Sequence, residues 1–257
     1  MIFPEKAVKA IVRDFSAILK DNLTGIYVHG SAAFGCFNPR LSDLDIIVVV
    51  YKPLQKHIKL DLLKSLERNR FLFPGKGVEM SVVLYRHCRH FVYPTPYELH
   101  YSQAHEADYL LSRDKYCDDS CGVDYDLAAH FTVIGCAGIA AYGKKASEVF
   151  SAVPEECFSD SIKRDIVSAG GGIVENPVYY ILNMCRTLMF LNEKTVGSKA
   201  DGGVWAMKIL PDRYRSVVAA ALESYRNGAE FTVDSIRCLD FEAYMKTAIF
   251  GAEDRGL

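Results

Sequence analysis

Residues 25–50 read GIYVHGSAAFGCFNPRLSDLDIIVVV. Two apolar, β-branched runs, GIYVH and DIIVVV, flank a loop that begins Gly30-Ser31 and ends Ser42-Asp43-Leu44-Asp45. Such runs bounded by turn residues predict strands over 25–29 and 43–51. Residues i and i+2 of a strand share a face, so Asp43 and Asp45 project together from the start of the second strand. Two carboxylates this close repel unless a cation sits between them. Paired oxygen ligands with open positions suit Mg2+, which keeps waters and takes the rest of its shell from substrate phosphates. The Gly30-Ser31 turn supplies backbone N–H groups and a hydroxyl for phosphate oxygens.

A third carboxylate, Glu79, begins the next predicted strand, VEMSVVLY over 78–85. Packing explains a carboxylate there poorly, because ionised carboxylates are rarely buried without a partner. Asp43, Asp45 and Glu79 are therefore candidate metal ligands and catalytic groups for two-metal phosphoryl or nucleotidyl transfer.

Working outward, the first half reads as α/β. A helix is predicted over about 5–20, with Val8, Ile11, Val12, Phe15, Ile18 and Leu19 on one face. Another covers about 55–68, with Ile58, Leu62, Leu63 and Leu66 as its apolar stripe. Residues 91–101 are Pro-rich and irregular, ending in a short strand. A helix is expected from about 126 to 142, closed by Gly143 as a C′ residue. The second half reads as all helix. Ser159 or Asp160 caps one helix that breaks at Gly170-Gly171-Gly172. Asn176-Pro177 starts the next, with Pro at N1. Ser198 with Asp201 approximates a capping box, Pro211 opens a helix running to Gly228, and the last helix spans about 233–250.

Composition bounds the function. The chain has 257 residues, half of them hydrophobic, a net charge of −2 and mean hydropathy of +0.04. This predicts a soluble globular protein without a membrane span, and argues against a nucleic-acid partner, which would require a basic face. Eight scattered cysteines with no C-x-x-C and no export signal suggest the cytoplasm. Between Glu98 and Asp126 lie eight acidic residues, opposed within the segment only by Arg113 and Lys115. The segment is either a solvated loop with helix caps or a negative wall that attracts a polycationic substrate. Gly30-x4-Gly35 is no P-loop, since no Lys-Ser/Thr follows, and no G-x-G-x-x-G opens a helix.

The pattern G-S-x(n)-D-x-D with an acidic residue on a later strand resembles the polymerase-β-like nucleotidyltransferases. The longer form HGSAAFGCFNPRLSDLDIIVVV is similar to the aminoglycoside O-nucleotidyltransferases that adenylylate streptomycin and spectinomycin. The likeness continues in VFSAVP (149–154), NPVYYILNMCR (176–186), SKADGGVWAM (198–207) and Leu210-Pro211 with Tyr214. The resemblance implies an α+β fold. Residues 1–151 would form a nucleotidyltransferase domain with a mixed sheet flanked by helices. Residues 152–257 would form an all-helical bundle domain that closes over nucleotide and substrate.

It further implies Mg2+, two ions, with ATP as co-substrate. AMP passes to a hydroxyl of a polycationic aminoglycoside or aminocyclitol, and pyrophosphate leaves. Gly30, Ser31 and Ser42 would contact the β/γ-phosphates, with Lys199, Arg186 and Tyr225 as further nucleotide contacts. Glu79 would be the general base, its alternative role being a third metal ligand. Members that modify both drugs carry a Trp and an Asp where this chain has Val167 and Gly172. That departure favours the spectinomycin 9-hydroxyl over streptomycin. A monomer is expected. The alternatives are transfer to a different small molecule or protein hydroxyl, and a non-catalytic nucleotide sensor.

Overall fold

The computed structural model describes residues 3–119, 121–168 and 172–251. The chain divides into two compact units, one ending at Pro154 and the other beginning at Glu155.

The first unit starts with helix α1 (Glu5–Leu19), strand β1 (Leu23–Val28), a single helical turn α2 (Gly30–Ala33) and strand β2 (Leu44–Val50). Helix α3 (Lys56–Arg68) leads to β3 (Val78–Leu84), and a short α4 (Tyr85–Arg89) to the small strands β4 (Thr95–Tyr97) and β5 (Leu99–Tyr101). Then come α5 (Glu106–Leu111), α6 (Arg113–Asp119), β6 (Gly122–Asp124), α7 (Leu127–Ala137), β7 (Ile139–Gly143) and α8 (Ala146–Val149). Five strands form a mixed sheet in the order β5-β3-β2-β1-β7, and β4 pairs with β6 separately. Only β2 and β3 run parallel, as their connection through α3 requires.

Central strand β2 is buried on both faces, which explains its unbroken apolar run. Ile46, Val48 and Val50 pack with Ile26, Val28, Met80 and Val82 against Ile11, Phe15, Leu62 and Leu66 of α1 and α3. On the opposite face, Tyr27, Ile47, Val49 and Val83 meet Leu127, Phe131 and Ile134 of α7 and Phe150. Each such side chain contributes about 1.5–3 kcal/mol by leaving water. These two layers hold β2 and β3 in register: Leu44 and Val78 anchor their N-terminal ends in the core, while Asp45 and Glu79 next to them stay partly exposed.

The expected helix over 126–142 is corrected: α7 stops at Ala137, and residues 139–143 form β7, antiparallel to β1. Ala and Ile in this stretch suit a helix, but the open edge of β1 carries N–H and C=O groups that need partners, and pairing there outweighs local propensity. Gly143 accordingly ends a strand and not a helix.

The second unit contains α9 (Glu155–Ser168), α10 (Gly172–Glu175), α11 (Pro177–Glu193), α12 (Lys199–Ile209), α13 (Asp212–Asn227) and α14 (Ser235–Phe250). Helix α9 begins at Glu155, directly after Pro154, four residues before the expected cap at Ser159. Acidic residues in a first turn complement the helix dipole, and Glu155 and Glu156 supply them. Gly170 and Gly171 of the expected break lie outside the described residues. Helix α11 is the hub: Ile181, Leu182, Met184, Cys185 and Leu188 are buried among Ala206, Val218, Phe241 and Met245 of the surrounding helices. A methyl group on Gly202 would stand 2.5 Å from the α11 backbone at Arg186, so Gly there allows the two helices to touch. Among the described residues, no helix is long and apolar enough to cross a membrane.

Candidate active site

β1 delivers the chain to His29, whose N–H donates to the Asp45 carbonyl at 3.1 Å. The next residue, Gly30, has φ of +59°, and any Cβ there would overlap the Asp45 carboxylate. Glycine is required twice over, by backbone conformation and by space. Ser31, the second residue of α2, has its Oγ buried and without a hydrogen-bond partner. A hydroxyl left so is costly unless a ligand satisfies it.

The return loop is held by its own turn. The Asn38 N–H donates to Ser42 Oγ at 3.1 Å and the Ser42 N–H to the Asn38 carbonyl at 2.8 Å. Ser42 is buried, and its side chain pins the loop that ends at Asp43. Asp43 stands one residue before β2 and Asp45 is its second residue. Asp45 and Glu79 are register partners across β2 and β3. One carboxylate oxygen from each of Asp43, Asp45 and Glu79 lies within 4.8 Å of the others, and all three residues are partly exposed. Like charges 4 Å apart repel by about 1 kcal/mol in water and about 4 kcal/mol near a protein surface. A set of three carboxylate oxygens this close can hold a metal ion.

The sequence reading missed the histidines around this face. His29 is buried, its pKa held well below the ordinary value first by burial and then by the neighbouring His130. The two rings lie 4.7 Å apart, and the His130 Nδ1 is buried without a partner. His100 on β5 shares a 2.9 Å hydrogen bond with Ser81, two residues beyond Glu79 on β3. Burial lowers its pKa to about 4. Beside it opens a cavity of about 340 Å³ lined by Tyr97, His100, His105, Asp108, Ser112 and Tyr116. The placement of His29 directly before Gly30 was the one available signal; His100 and His130 carried none, because pairing and packing bring them in.

The acidic segment is less negative than its sequence suggests. Lys56 of α3 pairs with Asp114 and Asp118, and Arg70 with Glu106. Glu98 accepts the Leu54 N–H at 3.0 Å, and Asp124 accepts the Asp126 N–H at 2.8 Å. These cations and donors lie mostly outside the segment, where counting charges along the sequence does not see them.

In the helical unit, Lys199 is the first residue of α12, after a capping box between Ser198 and Asp201. Its Nζ sits 4.2 Å from the centre of the Tyr179 ring, a cation–π contact. The Tyr179 hydroxyl donates to Asp165 at 2.7 Å, Asn183 donates to the same carboxylate at 3.0 Å, and Arg186 lies 4.0 Å from it. Asp165 and Tyr179 therefore tie Lys199 and Arg186 into one cluster, and neither was singled out from the sequence. Tyr225, on α13, packs against the core of this unit.

The comparisons with known proteins agree with both halves. Residues 8–104 match the nucleotidyltransferase domain model, and residues 148–248 the model of the aminoglycoside adenylyltransferase C-terminal domain. The chain is 24% identical over 214 residues to an aminoglycoside (3'') (9) adenylyltransferase of Klebsiella pneumoniae, covering 80% of this chain and 79% of that protein. It is 20% identical over 226 residues to a spectinomycin 9-adenylyltransferase of Campylobacter jejuni, covering 87% and 85%. Its fold is similar to that of spectinomycin adenyltransferase AAD(9) from Enterococcus faecialis, solved with ATP and spectinomycin: TM-score 0.82 at 19% identity, over 95% of this chain and 98% of that one. With a nucleotidyltransferase domain before and the family-specific helical domain after, the chain belongs to the aminoglycoside adenylyltransferases and is an AMP-transferring enzyme.

Proposed function

We propose that the protein transfers AMP from ATP to a hydroxyl of an aminocyclitol or aminoglycoside, with the spectinomycin 9-hydroxyl preferred over streptomycin, and releases pyrophosphate. The observation that carries the reading is the cluster of Asp43, Asp45 and Glu79 beside a Gly30-Ser31 turn whose hydroxyl lacks a partner. The relatives' names and the ligands of the matched structure support the nucleotide and the acceptor class. For the choice of acceptor, Val167 is exposed on α9 and Gly172 opens α10 without a side chain, where the dual-specificity members carry Trp and Asp.

The donor set fits Mg2+: three partly exposed carboxylates, all oxygen ligands, at the heads of two adjacent strands. Asp43 and Asp45 would hold two ions, with Glu79 within reach. Mg2+ bound there would supply charge neutralisation for the triphosphate and for the departing pyrophosphate. The Gly30 N–H and the Ser31 and Ser42 hydroxyls donate to phosphate oxygens, with the Asn38–Ser42 hydrogen bonds keeping the loop in place. Glu79 accepts the proton of the attacking hydroxyl. Lys199, Arg186 and Tyr225 contribute nucleotide contacts from the helical unit, with the two cations held by Tyr179 and Asp165. The relevant solution species is a monomer.

Pyrophosphate release from Mg-ATP, measured with spectinomycin, streptomycin, kanamycin-type drugs and a lincosamide, tests the proposal. Release with spectinomycin alone is the expected result. Release with streptomycin at equal efficiency would overturn the preference, and no release with any of them would move the acceptor outside this class.

A further inference from the structure

Lys59, on α3, is only 4% exposed, an uncommon burial for lysine. Its Nζ donates to the Cys117 carbonyl at 3.3 Å and stands 2.9 Å from the sulfur of Cys121. That distance is typical of an N–H···O bond. Sulfur is the larger atom, so nitrogen and sulfur are held unusually close. Cys121 is exposed, and its thiol also donates to the Glu98 carbonyl at 3.4 Å. Its sulfur is open to small oxidants. Cys117, the other cysteine beside Lys59, is buried, and burial raises its thiol pKa and lowers its reactivity. The structure thus pairs one accessible sulfur with one immobilised amine, across two segments far apart in sequence.

We propose that Lys59 and Cys121 form a reversible covalent cross-link on exposure to peroxide, a bridge in which one oxygen joins the lysine nitrogen to the cysteine sulfur. In the first step the Cys121 thiol attacks a peroxide oxygen, the O–O bond breaks, and sulfenic acid forms as the thiol proton leaves with the departing oxygen as water. A second peroxide oxidises the Lys59 amine to a hydroxylamine: an N–O bond forms, the O–O bond breaks, and the amine proton leaves with the other oxygen as water. The hydroxylamine oxygen then attacks the sulfenic sulfur; an S–O bond forms, the S–OH bond breaks, and the hydroxyl leaves with the hydroxylamine proton as a third water. Two peroxides are consumed and three waters formed for one N–O–S bridge. The product ties α3 to the segment entering β6, which pairs with β4 beside the cavity that contains Tyr97 and His100.

The test uses full-length protein treated with hydrogen peroxide, digested with trypsin and mapped by mass spectrometry. The expected product joins the Lys59 and Cys121 peptides, is about 14 Da heavier than their sum, and disappears on treatment with dithiothreitol. Trypsin should fail to cut after Lys59 in that product. Cys117→Ser should still form it and Cys121→Ser should not. Cys121 recovered as sulfinic acid, or in a disulfide with Cys117, with trypsin still cutting after Lys59, would overturn the proposal. The wild-type peptide map decides this even if a Lys59 variant does not fold.

Discussion

Asp45 and Glu79 stand opposite each other on the parallel strands β2 and β3, and Gly30 closes against the Asp45 carboxylate from the β1 side. Three separate chain segments therefore meet at one carboxylate. Asp45→Asn should abolish AMP transfer while raising or preserving the melting temperature, because it relieves repulsion within the cluster. Parallel assays of pyrophosphate release and thermal unfolding check both parts. Substantial retained turnover would sink the two-metal proposal.

Glu79→Gln distinguishes a base from a ligand. If Glu79 is the base, turnover should fall by roughly 100-fold or more. The stabilisation of the protein by Mg-ATP should then survive, since Asp43 and Asp45 remain. Loss of that stabilisation together with turnover would reassign Glu79 to metal binding.

Gly30→Ala should be damaging despite adding a single methyl group. The left-handed conformation costs a non-glycine residue about 1–2 kcal/mol. The new carbon must also displace the Asp45 carboxylate. A misplacement near 1 Å is worth about 100-fold in rate. Steady-state kinetics should show the loss in turnover, with a smaller fall in stability; wild-type rates would show that the site tolerates rearrangement.

Lys199→Ala should raise the KM for ATP by about tenfold, the equivalent of one charge-assisted contact. Tyr179→Phe leaves the ring under Lys199 but removes its hydroxyl from Asp165, so its effect on ATP affinity should be smaller. An Asp165→Ala variant with unaltered ATP affinity would remove the cluster from nucleotide binding.

Stability should fall on acidification between pH 6.5 and about 4 through His100. Burial keeps the folded imidazole neutral until about pH 4, whereas the unfolded chain takes up the proton from its ordinary value of 6.5 downward. The unfolded state binds more protons across that window, so stability decreases as pH falls. The full shift is worth about 3 kcal/mol. His100→Asn should flatten this part of the curve of melting temperature against pH.

The sequence alone determined the strands of the acidic site, because apolar β-branched runs bounded by turn residues are local signals. It placed Asp43, Asp45 and Glu79 at the heads of those strands. The helices from Glu5, Lys56, Pro177, Lys199, Asp212 and Ser235 were legible for the same reason, since their caps and apolar stripes lie within a few residues of one another. Only the tertiary structure decided that residues 139–143 are an edge strand, because the need came from unpaired groups on β1, more than a hundred residues earlier. The same holds for His29 against His130, for Lys56 neutralising Asp114 and Asp118, and for Lys59 against Cys121. Each is a pairing between groups distant in the chain, and one-dimensional periodicity contains no information on which distant groups the packing of the sheet will bring into contact.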